Sequence, residues 1–159
     1  MLYVGIDPGA QGAVAIVDAA GGIFAWHPFD GWKQAQGFFL RHKKYTELIV
    51  GLEHIHSAGG NGVASTFTFG KNYGGWETML ELLDIEPQEV SISSWQPKML
   101  GRFAKGQSKV AAREYYDRNY PDLLLPTKNK KKNEGVVDAV CIANYMRLHR
   151  TVDNTSTKR

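Results

Sequence analysis

Met1-Leu2-Tyr3-Val4-Gly5-Ile6-Asp7-Pro8-Gly9 opens the chain, a short apolar run that ends in an acid. Residues 2–6 read as a buried strand, and Asp7 falls at its end. A charge is costly to bury without a partner, so an Asp set among Gly5, Pro8 and Gly9 requires an explanation. Two other acids share this setting. Glu53 follows Leu48-Ile49-Val50-Gly51-Leu52, and Asp138 lies inside Val136-Val137-Asp138-Ala139-Val140. Three isolated acids on three apolar segments suggest one shared site, with a metal as the common partner.

The neighbouring segments set two of these acids side by side. Residues 2–7, 12–18 and 23–27 read as strands, with a turn at Gly21-Gly22. Such tight turns imply an antiparallel meander. Residues 32–45 read as a helix that buries Phe38 and Phe39 and carries Arg41, His42, Lys43 and Lys44 near its C-terminal end. Residues 47–53 form a fourth, fully buried strand, parallel to the first and reached through that helix. A flexible loop at 57–62 leads into a long helix over 63–83. Gly70 and Gly74 lie four apart on it and cost roughly 1 kcal/mol each relative to Ala; close packing against a partner would offset this. A fifth strand over 89–93 precedes a short helix over 95–100, with Pro97 in its first turn. A loop at 101–106 and a helix over 107–119, stopped by Tyr120-Pro121, come next. Residues 123–133 read as a basic loop and 134–149 as the last helix. The pattern predicts an α/β fold, a mixed five-stranded sheet with helices on both faces.

A chain of 159 residues predicts a single domain over 1–150 with a real core, followed by a polar, frayed tail at 151–159. No apolar run reaches the roughly 20 residues that span a bilayer, and the N-terminus lacks signal-peptide features. The single Cys141 excludes an intrachain disulfide framework and a Cys-based zinc site. These features predict an intracellular, cytoplasmic protein with no membrane partner. The net charge of +3 conceals an asymmetry: residues 98–132 hold ten Lys/Arg and three Asp/Glu, and the rest holds nine and thirteen. A basic segment beside an acidic site suits a polyanion held near a metal; a solvated loop is the plainer reading.

Asp7 and Glu53 end adjacent parallel strands, so their side chains can converge. Glu134 and Asp138, at i and i+4, share a face of the last helix. Such carboxylates cannot all stay ionised at close range without cations. Hard oxygen donors without His or Cys point to Mg²⁺ or Mn²⁺, and two such ions serve in-line phosphodiester displacement. Each acid also has a plainer reading. Asp7 can cap an Asp-Pro-Gly turn, Asp138 can edge an apolar helix stripe, and Glu134 can be a first-turn acid on the helix dipole. The combination is more specific than any member.

Gly5-Ile6-Asp7-Pro8-Gly9, Gly12-Ala13-Val14-Ala15, Glu53 after its strand and Asp138-Ala139-Val140-Cys141-Ile142-Ala143 resemble the RuvC-type Holliday junction resolvases. The resemblance covers about residues 1–149. It implies an RNase H-like fold, a homodimer, and Mg²⁺-dependent paired nicking of four-way DNA junctions that leaves a 5′-phosphate and a 3′-hydroxyl. It implies two Mg²⁺ per active site, with Mn²⁺ able to substitute, held by Asp7, Glu53, Glu134 and Asp138. The bacterial pattern has an acid or His three residues before the final Asp, where this chain has Gly135. Phage-type relatives look similar there, so the fourth ligand falls to Glu134 and the chain resembles the phage-type members. Lys105 and Lys109 look like the family's phosphate-contacting lysines. The long helix corresponds to the dimer interface, and an aromatic near its start, Phe67 or Phe69, to the residue that enters the junction centre. Stacking there is worth roughly 1–3 kcal/mol per base; two core phenylalanines are the competing reading. Lys71, Lys98, Arg102, Lys128, Lys130, Lys131 and Lys132 complete the expected DNA contacts. Alternatives are a non-catalytic junction-binding protein, a nuclease for other branched DNA, and an actin/sugar-kinase-like ATPase, which needs two such domains.

Overall fold

The computed structural model describes residues 1–44, 46–54, 63–125 and 128–149. The loop expected at 57–62 and the tail expected at 151–159 lie outside the described residues. Three strands, β1 (Leu2–Asp7), β2 (Ala13–Val17) and β3 (Ile23–Pro28), form the antiparallel meander. Asp18 closes the β2–β3 turn by accepting from the Ala20 and Gly22 N–H groups at 2.8 and 2.9 Å. The helix α1 (Trp32–Lys43) returns the chain so that β4 (Leu48–His54) pairs parallel with β1. The long helix α2 (Val63–Leu82) leads to β5 (Gln88–Ser91), which pairs parallel with β4. The sheet order is β3-β2-β1-β4-β5, the mixed five-stranded sheet that the pattern predicts. Three more helices follow: α3 (Ile92–Leu100), α4 (Ser108–Asn119) and α5 (Lys130–His149).

The two largest boundary shifts from the sequence reading are helix starts, and both come from caps. The helix α3 starts at Ile92, directly after β5, because the Ser91 side chain accepts from the Ser94 N–H at 3.2 Å. Residues 92 and 93 therefore belong to a helix, and Pro97 sits in its interior instead of its first turn. The helix α5 starts at Lys130, because Asn129 Oδ1 accepts from the Lys131 and Lys132 N–H groups. The basic segment is thus loop only to Asn129, and Lys130, Lys131 and Lys132 lie on the first helical turn.

Alternation along the strands separates two cores. Val4, Ile6, Val14, Ile16, Val50 and Leu52 face α1 and α2, where Phe39, Trp76 and Leu80 cover them. Ala13, Ala15, Ile49 and Val90 face the other layer, built from α3, α4 and α5. There α5 lies very close to the sheet. A Cβ on Gly5 would stand 2.1 Å from the Ala139 carbonyl oxygen, and one on Gly51 would meet the Met146 side chain at 2.6 Å. Gly5 pairs with Gly51 on one side and Ala15 on the other. This row of small residues makes the shallow track on which α5 rests.

Among the described residues nothing stands within 4 Å of a Cβ at Gly70 or Gly74, so the close packing expected there would be against a partner. Gly75 is the position packed closely within the chain: a Cβ there would strike the Trp32 ring at 2.2 Å. None of the described helices is long and apolar enough to cross a membrane.

Candidate active site

The track of small residues positions the acids. Along β1, Tyr3, Gly5 and Asp7 point toward α5, and along β4 so do Ile49, Gly51 and Glu53. The register pairs Ile6 with Leu52, so Asp7 and Glu53 come next to each other at matching strand ends. The close approach at Gly5 then lowers Asp138 of α5 over the same ends. Among the described residues Glu53 and Asp138 are the two buried charged ones, at 5% and 6% exposure, and Asp7 is half-buried.

The three acids feel one another. Burial raises Glu53 first, and the charges of Asp7 and Asp138 add to it, bringing its pKa to about 8. Burial also raises Asp138, to about 6, against the pull of Lys109 and with the charges of Asp7 and Glu134 adding to the rise. Asp7 is raised by burial, although the Gly9 N–H opposes this. Asp7 also performs the plainer role expected of it, since its Oδ1 accepts from the Gly9 N–H at 2.9 Å and closes the turn.

Two groups organise the cluster, and the sequence reading assigned only one of them. Lys109, in the first turn of α4, pairs with Asp138 Oδ2. Trp95 was missed: its indole Nε1–H donates to Glu53 Oε1 at 2.8 Å from a fully buried position on α3. The signal for it was slight, an aromatic one turn beyond a strand adjacent to that of Glu53.

The donors are oxygens of carboxylates whose charged forms the protein environment opposes, and this chemistry suits a hard divalent cation. As the side chains are oriented, no three His, Cys, Asp or Glu groups among the described residues enclose an ion-sized space. The backbone brings the acids to one place, and the ammonium of Lys109 contacts one of them, Asp138.

Glu134 lies one turn before Asp138 on α5, and its charge bears on Asp138. Gly135 has a packing cause. A Cβ there would stand 2.4 Å from the Gln11 carbonyl oxygen and 2.8 Å from Gly12 Cα. The β1–β2 turn therefore fills the place of any side chain at 135.

A cavity of about 400 Å³ adjoins the acids, lined by Lys109, Asp138, Glu134, Arg113, Lys128 and Lys130 among others. Of the expected DNA contacts, Lys109, Lys128 and Lys130 meet there. Lys105, Arg102, Lys71 and Lys131 are exposed elsewhere. Lys98 stands over the Tyr145 ring at 5.5 Å, and Lys132 pairs with Asp30, so these two are partly engaged within the chain. Phe67 is 73% exposed, which removes the core reading for it. Phe69 is half-buried and stacks on Tyr73 at 6.3 Å.

Two solved structures share this architecture. One is Thermus thermophilus RuvC in complex with a Holliday junction substrate, at 13% identity over 94% of this chain and 96% of that one, with a TM-score of 0.62. The other is a Thermus thermophilus RuvC structure at 15% identity over 93% and 96%, with a TM-score of 0.57. No protein-family model and no curated protein matches the sequence. The chain thus has an RNase H-like α/β fold. Within that class it takes the form seen in RuvC, as its opening strand and final helix implied.

Proposed function

We propose that this chain is a divalent-metal-dependent endonuclease that resolves four-way DNA junctions by paired, symmetric nicks. The observation that carries the reading is the convergence of Asp7, Glu53 and Asp138 from β1, β4 and α5 at one end of the sheet, beside a cavity lined by four bases and three acids. The likeness to a RuvC solved on a junction supports the choice of substrate. Asp7, Glu53 and Asp138 would hold the metal, with Glu134 as a fourth, flanking acid. Two Mg²⁺ ions, or Mn²⁺ in their place, supply Lewis acidity for an in-line phosphodiester displacement.

The chain's own residues do the rest. Trp95 holds Glu53 in orientation. Lys109 and Lys105 meet the scissile phosphate and stabilise its developing charge. Lys128, Lys130 and Lys131 sit at the start of α5, where lysines face the unfavourable end of the helix dipole. A polyanion is the partner that makes such placement favourable, because the helix N-terminus itself attracts phosphate. Arg102, Lys98, Lys71 and Lys132 extend the grip along the backbone. Phe67 and Phe69 lie on α2, and an exposed Phe67 suits stacking at an opened junction centre. The outer face of α2, with open positions at Gly70 and Gly74, is the surface on which a second copy would pack, setting two sites on symmetry-related strands. Such a protein works inside a cell, where its substrate is.

The test is Asp7→Asn on a synthetic four-way junction with Mg²⁺. The variant keeps junction binding and loses cleavage by at least about a hundredfold, the scale of losing a charge-stabilising group in the reaction. Nicking at the parent rate would refute the carboxylate site.

A further inference from the structure

We propose that Lys109 is the resident counter-cation of the carboxylate cluster and competes with the divalent ion for it, so that metal entry displaces the ammonium from Asp138 toward the adjoining cavity. This inference rests on the nuclease reading above and assigns regulation to the same site. Four observations carry it.

The first is the pairing itself. The ammonium contacts Asp138 Oδ2 and is attracted by Asp7 and Glu53 as well. The second is where Lys109 sits. It lies in the first turn of α4, in which no acid is present. A cation there opposes the helix dipole, so the acids, and not the helix, hold it inward. The third is freedom to leave. The Asp138 side chain is 8% exposed, whereas that of Lys109 is 51% exposed. The lysine enters from solvent and can withdraw along its own stem. The fourth is a destination. Lys109 and Asp138 share the cavity of about 400 Å³, which Glu114 and Glu134 line together with Arg113, Lys128 and Lys130. An ammonium pushed into that company gains from an anion arriving there, and a DNA phosphate is such an anion.

The pairing orders events: the ammonium would become available to a phosphate oxygen only after a metal had taken its place at Asp138.

Mn²⁺ binding to the full chain, without DNA, provides the test by calorimetry. Lys109→Met keeps the stem and removes the charge. It should bind Mn²⁺ roughly ten- to a hundredfold tighter than the parent, the fold-change of one charge-assisted hydrogen bond. Lys109→Arg keeps the cation and should stay near the parent affinity. Lys33→Gln, a charge lost on the far helix α1, should change nothing. Equal or weaker binding by Lys109→Met overturns the inference while leaving the nuclease reading intact. No Mn²⁺ binding by the parent or by Lys109→Met removes the nuclease reading and the inference together. A second measurement needs no variant. Amine acylation read by mass spectrometry should label Lys109 several-fold faster once Mg²⁺ is added, with Lys33 as internal reference. Unchanged or slower labelling of Lys109 would overturn the competition.

Discussion

Stability without metal should fall as pH rises, because the cluster is built to resist its own charge. Glu53 is raised from the ordinary glutamate value of 4.5 to about 8 by burial and by the charges of Asp7 and Asp138. Between those values the folded chain still holds a proton that the unfolded chain has released. The folded state therefore binds more protons, and stability decreases with pH. The contribution is fully present below about 4.5 and is lost as pH climbs through about 8. Within that window each pH unit withdraws at most about 1.4 kcal/mol. For a chain of this size, 1 kcal/mol moves the melting temperature by roughly 2–4 °C. The expected slope is thus roughly 3–5 °C lost per pH unit from pH 5 to pH 8 in EDTA. Calorimetric melts of the parent and Glu53→Gln isolate it, because other carboxylates titrate in both proteins. The variant should be the more stable at pH 8 and should lose that advantage near pH 5. Mg²⁺ at about a hundred times its dissociation constant restores about 2.7 kcal/mol and flattens the parent curve. Parallel curves for parent and variant in EDTA would refute the electrostatic account of the cluster.

Two further substitutions probe how the site is held. Trp95→Phe removes the only donor found at Glu53 among the described residues, so a buried carboxylate loses its partner. Stability at pH 8 should fall by about 1–3 kcal/mol, and Mn²⁺ titration should show weaker binding; an unchanged titration would mean that the indole is mere packing. Gly5→Ala sets a Cβ 2.1 Å from the Ala139 carbonyl oxygen and 2.4 Å from the Ala143 nitrogen, both backbone atoms of α5. Overpacking of this kind costs typically 1–3 kcal/mol, and the lifted helix carries Asp138 with it. Denaturant melts should show the loss, and cleavage should drop even where the variant is fully folded.

The sheet and the placement of Asp7 and Glu53 were legible because both rest on short-range rules. Apolar runs, tight turns and a helical crossover fix which strands are neighbours, and strand parity fixes which face each acid takes. Asp138 was legible as an acid in an apolar stripe. Its descent onto the strand ends was not, because that depends on Gly5 and Gly51 meeting across two strands distant in sequence. Trp95 escaped notice for the same reason, since nothing local says that an indole will reach 42 residues back to Glu53. The helix starts were misplaced where Ser91 and Asn129 capped earlier than the apolar pattern suggested. The lysines at 130–132 read as part of a basic loop; three cations at a helix start run against the dipole, and Asn129 and, for Lys132, Asp30 make the helix tolerable.

The glycine at 135 follows from the packing of α5, and so does a division of labour along that helix. Residues advance by about 100° each. Position 134 therefore lies about 40° to one side of Asp138 and position 135 about 60° to the other. The side of 135 is closed, because the β1–β2 turn brings the Gln11 carbonyl to within 2.4 Å of any Cβ there. The side of 134 opens onto the cavity with Lys109, Lys128 and Lys130. An acid on this chain can flank Asp138 only from the cavity. On the proposed reading, Glu134 would share its charge between a metal held at Asp138 and the lysines of that cavity. Glu134→Gln should weaken Mn²⁺ binding by about tenfold, as loss of an outlying partner does, whereas Asp138→Asn should abolish it. The same Glu134→Gln change removes a negative charge from the cavity wall and, on the proposed reading, should tighten metal-free junction binding, most at low salt. If Glu134→Gln instead loses Mn²⁺ as completely as Asp138→Asn, then Glu134 is a central ligand, and α5 must turn on its track to bring it there.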